Sequence, residues 1–275
     1  MTAMKHTRDF NSLSGRRLKS LLIQLCERAQ DDVKRLPRHE ETATHQLRVR
    51  MKKILALLRL ARPAVEEHTL KAMRLHTRAV KNACACNRDE VVRCHLIDKL
   101  ARRFHLEPKH RPQLAGVSHE KPSTAHLRHQ LHALCQLIDS TPIETLEERQ
   151  ILEQHARCYR KGRRLMKQAC ETAECEILHR WRHRVKDLSY QTLALSHLPG
   201  AARRSKRARR LARVLGRDQD LANLAREPAF SVRRSPWMQV INERRGELRE
   251  RYLALGHKLY APHSSRFSGR ILCRA

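Results

Sequence analysis

Two short segments of the chain set histidine, arginine and lysine along one face of a helix. In His45-Gln-Leu-Arg-Val-Arg-Met-Lys52, the residues His45, Arg48 and Lys52 stand at i, i+3 and i+7, and Arg59 continues the row two turns on. His179-Arg-Trp-Arg-His-Arg-Val-Lys186 repeats the arrangement with His179, Arg182 and Lys186. Guanidinium forks and ammonium groups suit the tetrahedral oxygens of a phosphate, and imidazolium adds a donor whose strength depends on pH. A second pair of rows, Arg74, Arg78 and Lys81 and then Arg203, Arg207 and Arg210, follows at i, i+4 and i+7. Such rows offer multivalent capture of an anion.

One row alone reads equally well as a solvated face, since 58 Lys and Arg residues must often fall at helical spacing. Recurrence of two rows in the same order favours a binding role. Other reactive residue types are less organised. Cys84, Cys86, Cys94 and His95 have metal-ligand identities at a spacing unlike a common zinc site, and they read as structural thiols. His126, His129 and His132 sweep around a helix and add to the basic surface. No glycine-rich elbow or phosphate loop accompanies any serine, cysteine or histidine. The expectation is no catalytic residue, no metal and no cofactor.

The elements that carry these rows follow from composition. A chain of 275 residues with 40% apolar content can bury a core, and eight Gly and ten Pro leave helix formers dominant. Apolar residues recur at helical spacing over 13–36, 47–60, 70–84, 89–104, 123–138, 144–173, 174–195, 202–224 and 236–260, and nothing reads as a strand. Pro37, Pro63, Pro142 and Pro199-Gly200 mark ends and turns, and Pro236 stands at a first helical position. The segment 105–122, with Pro108, Pro112, Gly116 and Pro122, is the expected boundary between halves 1–122 and 123–275 of one domain spanning about 10–260.

The formal net charge of +30 is extreme for a folded body and calls for an anionic partner. Eighteen histidines would add charge as pH falls, so binding is expected to tighten in mild acid. The nine cysteines are odd in number, and Cys26, Cys84, Cys94, Cys135, Cys158 and Cys170 lie in apolar helical patterns, as reduced core residues would. No apolar stretch reaches the length of a leader or a membrane span, which points to a cytoplasmic location.

The segments HQLRVRMKKILALLRL at 45–60, ILHRWRHRVKDLSYQTL at 177–193 and RRLARVLGRDQDLANL at 209–224 resemble the CHAD family, the conserved histidine α-helical domain. The resemblance implies an all-α fold of two helical-bundle halves related by a pseudo-two-fold repeat. It also implies a basic groove or channel that binds inorganic polyphosphate, and in some members association with polyphosphate granules. It carries the binding role to His45, Arg48, Lys52 and Lys53, and to His179, Arg182 and Lys186. Asp187 stands where a second basic residue is expected, which suggests a stronger first half.

Some relatives fuse this domain to a triphosphatase with an alternating Glu-x-Glu-x-Lys strand. Glu171, Glu174 and Glu176 instead lie in or between helical patterns, and the acidic run 144–148 reads as a helical first turn. The chain is therefore read as a binding protein and not an enzyme. The rival reading is a nucleic-acid- or ribosome-associated protein. An aromatic content of 4% is low for a base-stacking platform.

Overall fold

Helix formers satisfy their backbone groups locally, so the chain folds by burying one stripe of each helix. A computed structural model describes residues 13–84, 86–106, 123–230 and 236–273. Those residues form α-helices α1 Gly15–Arg35, α2 Glu40–Leu58, α3 Glu67–Ala83, α4 Cys86–Phe104 and α5 Thr124–Ser140. They continue with α6 Glu148–Glu171, α7 Cys175–Ala194, α8 Ala201–Leu224, α9 Pro236–Leu259 and α10 Ser264–Leu272, and no strand occurs among them. None of these helices is long and apolar enough to cross a membrane. Positions 107–122 of the expected boundary and the side chains of Cys86, Arg88 and Asp89 lie outside the described residues.

Local chemistry sets the helix ends. Ser14 Oγ accepts from the Arg17 amide at 3.4 Å, and Ser123 Oγ accepts from the His126 amide at 3.3 Å. Glu147 and Gln150 close a capping box that starts α6 at Glu148. Glu144 consequently sits in a preceding 3-10 turn, Ile143–Thr145, and the acidic run 144–148 is not one helical first turn. Gly200, at φ 70°, makes the left-handed turn between α7 and α8 that side chains disfavour. The short α10, which apolar spacing did not reveal, stacks Phe267 on Tyr159 of α6 with ring centroids 3.8 Å apart.

α1 packs on α2 and α5, and α3 packs on α2 and α5. In the same way α7 packs on α6 and α8, α8 on α9, and α10 on α6. The expected division at 122/123 does not follow this packing. α5 belongs with α1 and α3, and the chain passes from one set to the other just before α6. α4 crosses over, pairing Arg93 with Glu227 at 2.7 Å and Arg103 with Glu247 of α9 at 2.7 Å.

The two sets meet where α2 packs on α7. Gln191 Nε2 donates to the Ala56 carbonyl at 3.0 Å, and Arg59 pairs with Asp187 at 2.9 Å. Numbers rise on α2 as they fall on α7, so these central helices run antiparallel. Cys26, Cys84 and Cys158 are buried and Cys135 and Cys170 half-buried, all as free thiols. Cys94 differs from the expectation of a core residue, because its position on α4 is exposed.

Candidate anion-binding cleft

α7 and α8 form an antiparallel hairpin drawn close by small residues. Ser205, Ala208, Ala212 and Gly216 are buried at i, i+3, i+7 and i+11 of α8, with Ser205 Oγ donating to the Ser189 carbonyl at 3.4 Å. At Gly216 a Cβ would stand 3.0 Å from Arg182 Nη2 and 3.1 Å from its Nε, so the missing side chain leaves the guanidinium its place. Arg209, Arg213 and Arg217, each one position beyond that small-residue stripe, border the hairpin face and are exposed.

Those three arginines form one wall of a cleft of about 550 Å³. The opposite wall carries Arg182 and Lys186 from α7, and α2 adds Val49 and Lys53. Asp220 is the one acidic residue of the lining, against six cationic side chains. Crowding leaves a mark on the chemistry. Burial lowers the Lys53 ammonium below its ordinary value, and the charges of Arg50, Arg28 and Arg209 lower it further. A lysine held this way regains its proton affinity when an anion arrives. The cleft can therefore neutralise several phosphate oxygens at once, from directions fixed by three helices.

Of the residues expected to bind, Lys53, Arg182 and Lys186 come together here. A second group lies across α2 and α7, around the end of α3. Arg48 donates from Nη1 to the Cys84 carbonyl at 2.8 Å, placing its charge at the C-terminus of α3. Burial first, then Arg48 and Arg78, lowers the Lys81 ammonium. His45 is exposed on α2 and Lys52 is half-buried beside it. Arg74 lies by Arg59, Arg62 and Arg78, with Glu67 at 3.8 Å.

Two expected rows are redistributed. Arg59 is held by buried Asp187, which also takes Arg184 Nη1 at 3.1 Å, so this arginine ties α2 to α7 and does not extend the row toward solvent. Asp187 thus fills the place of a missing cation with a structural counter-ion. Burial raises its carboxyl while Arg59 and Arg184 pull it back down. Arg203, Arg207 and Arg210 are exposed and do not line the cleft, and Arg207 Nη1 donates to the Lys258 carbonyl at 3.2 Å. The arginines of α8 that line the cleft are Arg209, Arg213 and Arg217.

Two histidines are set apart from the rest by burial. His179 Nε2 and His183 Nε2 lie 2.9 Å apart on α7. Burial, with His179, Arg182, Lys186 and Lys81 around it, presses His183 down to about 3. His155 is fully buried against Gln191 and is lowered to about 4, chiefly by burial. Burial thus opposes the charging of these two imidazoles in mild acid. Among the described residues no group of three or more His, Cys, Asp and Glu side chains is placed to hold a metal ion.

The chain matches the CHAD domain family over residues 16–227. No curated protein and no solved structure matches it. The match covers α1 to the end of α8, including every helix that lines the cleft, and the chain belongs to the CHAD domain family.

Proposed function

We propose that this protein binds inorganic polyphosphate, without catalysing its turnover, in the cleft between α2, α7 and α8. The CHAD domain is associated with polyphosphate binding. The observation that carries the reading is the convergence of Lys53, Arg182, Lys186, Arg209, Arg213 and Arg217 on one cleft with Asp220 the one carboxylate in the lining. Repulsion among six cations costs the folded state, and a ligand with charge on every unit offsets that cost. A polyphosphate chain does so repeatedly along its length.

The second basic group, Arg48, Arg78 and Lys81, gives a longer chain further anchoring points beyond the cleft. The two halves support a pseudo-two-fold arrangement. α1 on α2, α2 with α3, and α3 with α5 correspond to α6 on α7, α7 with α8, and α8 with α9. Arg48 at the end of α3 then corresponds to Arg182 against α8. The reading extends to a cytoplasmic protein, recruited to polyphosphate granules where these occur.

Competition separates this reading from nucleic-acid binding. Long-chain polyphosphate should displace labelled single-stranded RNA at near-physiological salt, and RNA should not readily displace polyphosphate. The reverse ranking would assign the basic surface to nucleic acid. Affinity should fall steeply with salt, since each neutralised phosphate releases condensed counter-ions.

A further inference from the structure

The cleft has two unlike ends. Arg182 against Gly216 and the Ser205–Ser189 hydrogen bond fix the register of α7 on α8. At the Gly216 end stand Arg182, Arg213 and Arg217, with Lys186 and Arg209 toward the middle. At the Ser205 end the lining turns amphipathic, with Tyr190 and Leu193 of α7 and Val49 of α2. Lys53 is the cation nearest that end by the antiparallel register of α2 on α7.

Leu193 is 57% exposed. Among the described residues the other large apolar side chain left this open is Leu75 on α3, away from the cleft. A bare phosphate chain has no apolar surface to cover Leu193 and no ring to lie on Tyr190. A ligand with phosphates at one end and a flat organic ring at the other complements both ends. The cleft volume of about 550 Å³ falls within the roughly 300–1,000 Å³ usual for small-molecule sites.

We infer that the cleft also accommodates a nucleoside triphosphate, its phosphates among Arg182, Arg213 and Arg217 and its base against Tyr190, Leu193 and Val49. The inference rests on the anion-binding reading of the cleft and adds a second class of ligand to it. Base stacking on an aromatic ring is sequence-tolerant, so the site should take purine nucleotides generally and not read one base.

The test is calorimetric titration of the full chain with ATP and with inorganic tripolyphosphate, without divalent cations. Tripolyphosphate carries at least as much negative charge, so charge alone ranks it equal or tighter. The inference predicts ATP tighter by about tenfold, the worth of one stacking interaction of ~1.4 kcal/mol. Leu193→Ser, at an exposed position, and Tyr190→Ala should each remove most of that advantage while leaving tripolyphosphate affinity unchanged. Tyr190→Phe should keep it. Tripolyphosphate equal to or tighter than ATP, or ATP affinity indifferent to Leu193→Ser, overturns the inference and leaves polyphosphate binding standing. Failure of long-chain polyphosphate to bind overturns both.

Discussion

Arg59 on α2 and Asp187 on α7 pair at 2.9 Å across the junction of the two helical sets, with Arg184 as a second partner of the same carboxylate at 3.1 Å. The arrangement gives one buried anion to two cations in a chain that is otherwise strongly basic. Its loss would leave two guanidiniums repelling each other at the centre of the molecule. Asp187→Asn should therefore destabilise the fold by about 3 kcal/mol at neutral pH, the usual cost of breaking a buried pair from one side. Urea unfolding monitored by circular dichroism measures it, and an unchanged midpoint would show that α2 and α7 need no ion pair.

Acid should weaken the fold through His155. Its imidazole is buried, with Nδ1 3.2 Å from Gln191 Oε1, and is lowered to about 4 in the native state. An unfolded histidine titrates near 6.5, so the unfolded chain takes up its proton first. The contribution is complete above about pH 6.5 and is lost as pH falls toward 4. Between pH 7.5 and 4.5 the wild-type protein should lose about 2 kcal/mol more than His155→Gln does. Parallel slopes for the two proteins would remove His155 from the account.

Two glycines of α9 should respond oppositely to alanine. A Cβ at Gly256 would meet the Trp181 ring at 2.8 Å and Met166 Sδ at 3.1 Å, whereas a Cβ at Gly246 meets nothing within 4 Å. Gly246→Ala should stabilise by up to about 1 kcal/mol through helix propensity alone. Gly256→Ala gains the same propensity but overpacks a rigid indole, and should destabilise by about 2 kcal/mol. Thermal unfolding of the two variants side by side reads the difference, and a stabilised Gly256→Ala would mean the indole yields freely.

Much of the fold was legible because apolar spacing and punctuation agreed. Pro236 at the start of α9, Gly200 between α7 and α8, and Ser123 capping α5 all stand where their chemistry requires. α10 was missed because it is short and its buried residues are only Phe267 and Ile271. The packing partition was missed for a different reason. Pro and Gly mark 105–122 as a boundary in the sequence, yet α5, beyond it, packs on α1 and α3.

The site was half legible. The rows on α2 and α7 include Lys53, Arg182 and Lys186, which line one cleft. On α8, arginines occur at 203, 204, 207, 209, 210, 213 and 217, so charge spacing does not select a face. The selecting signal was the row of small residues Ser205, Ala208, Ala212 and Gly216, which brings α7 close and leaves the next position of each turn on the cleft wall. Asp187 carried a signal too, since one acid within a basic helix face implies a local cation, and Arg59 is that cation across α2.

The proposed function has the cleft, and not the bulk charge, hold the phosphate chain. Two double variants of equal charge test it, Arg213→Glu with Arg217→Glu inside the cleft and Arg203→Glu with Arg210→Glu outside it. All four positions are exposed, so both proteins should fold. Polyphosphate affinity measured at about 150 mM salt should fall about a hundredfold for the cleft pair, on the order of 1.4 kcal/mol for each charge-assisted hydrogen bond removed. The outer pair should weaken binding by no more than about tenfold, through the general field. Equal weakening in the two proteins would contradict the account and return the binding to net charge.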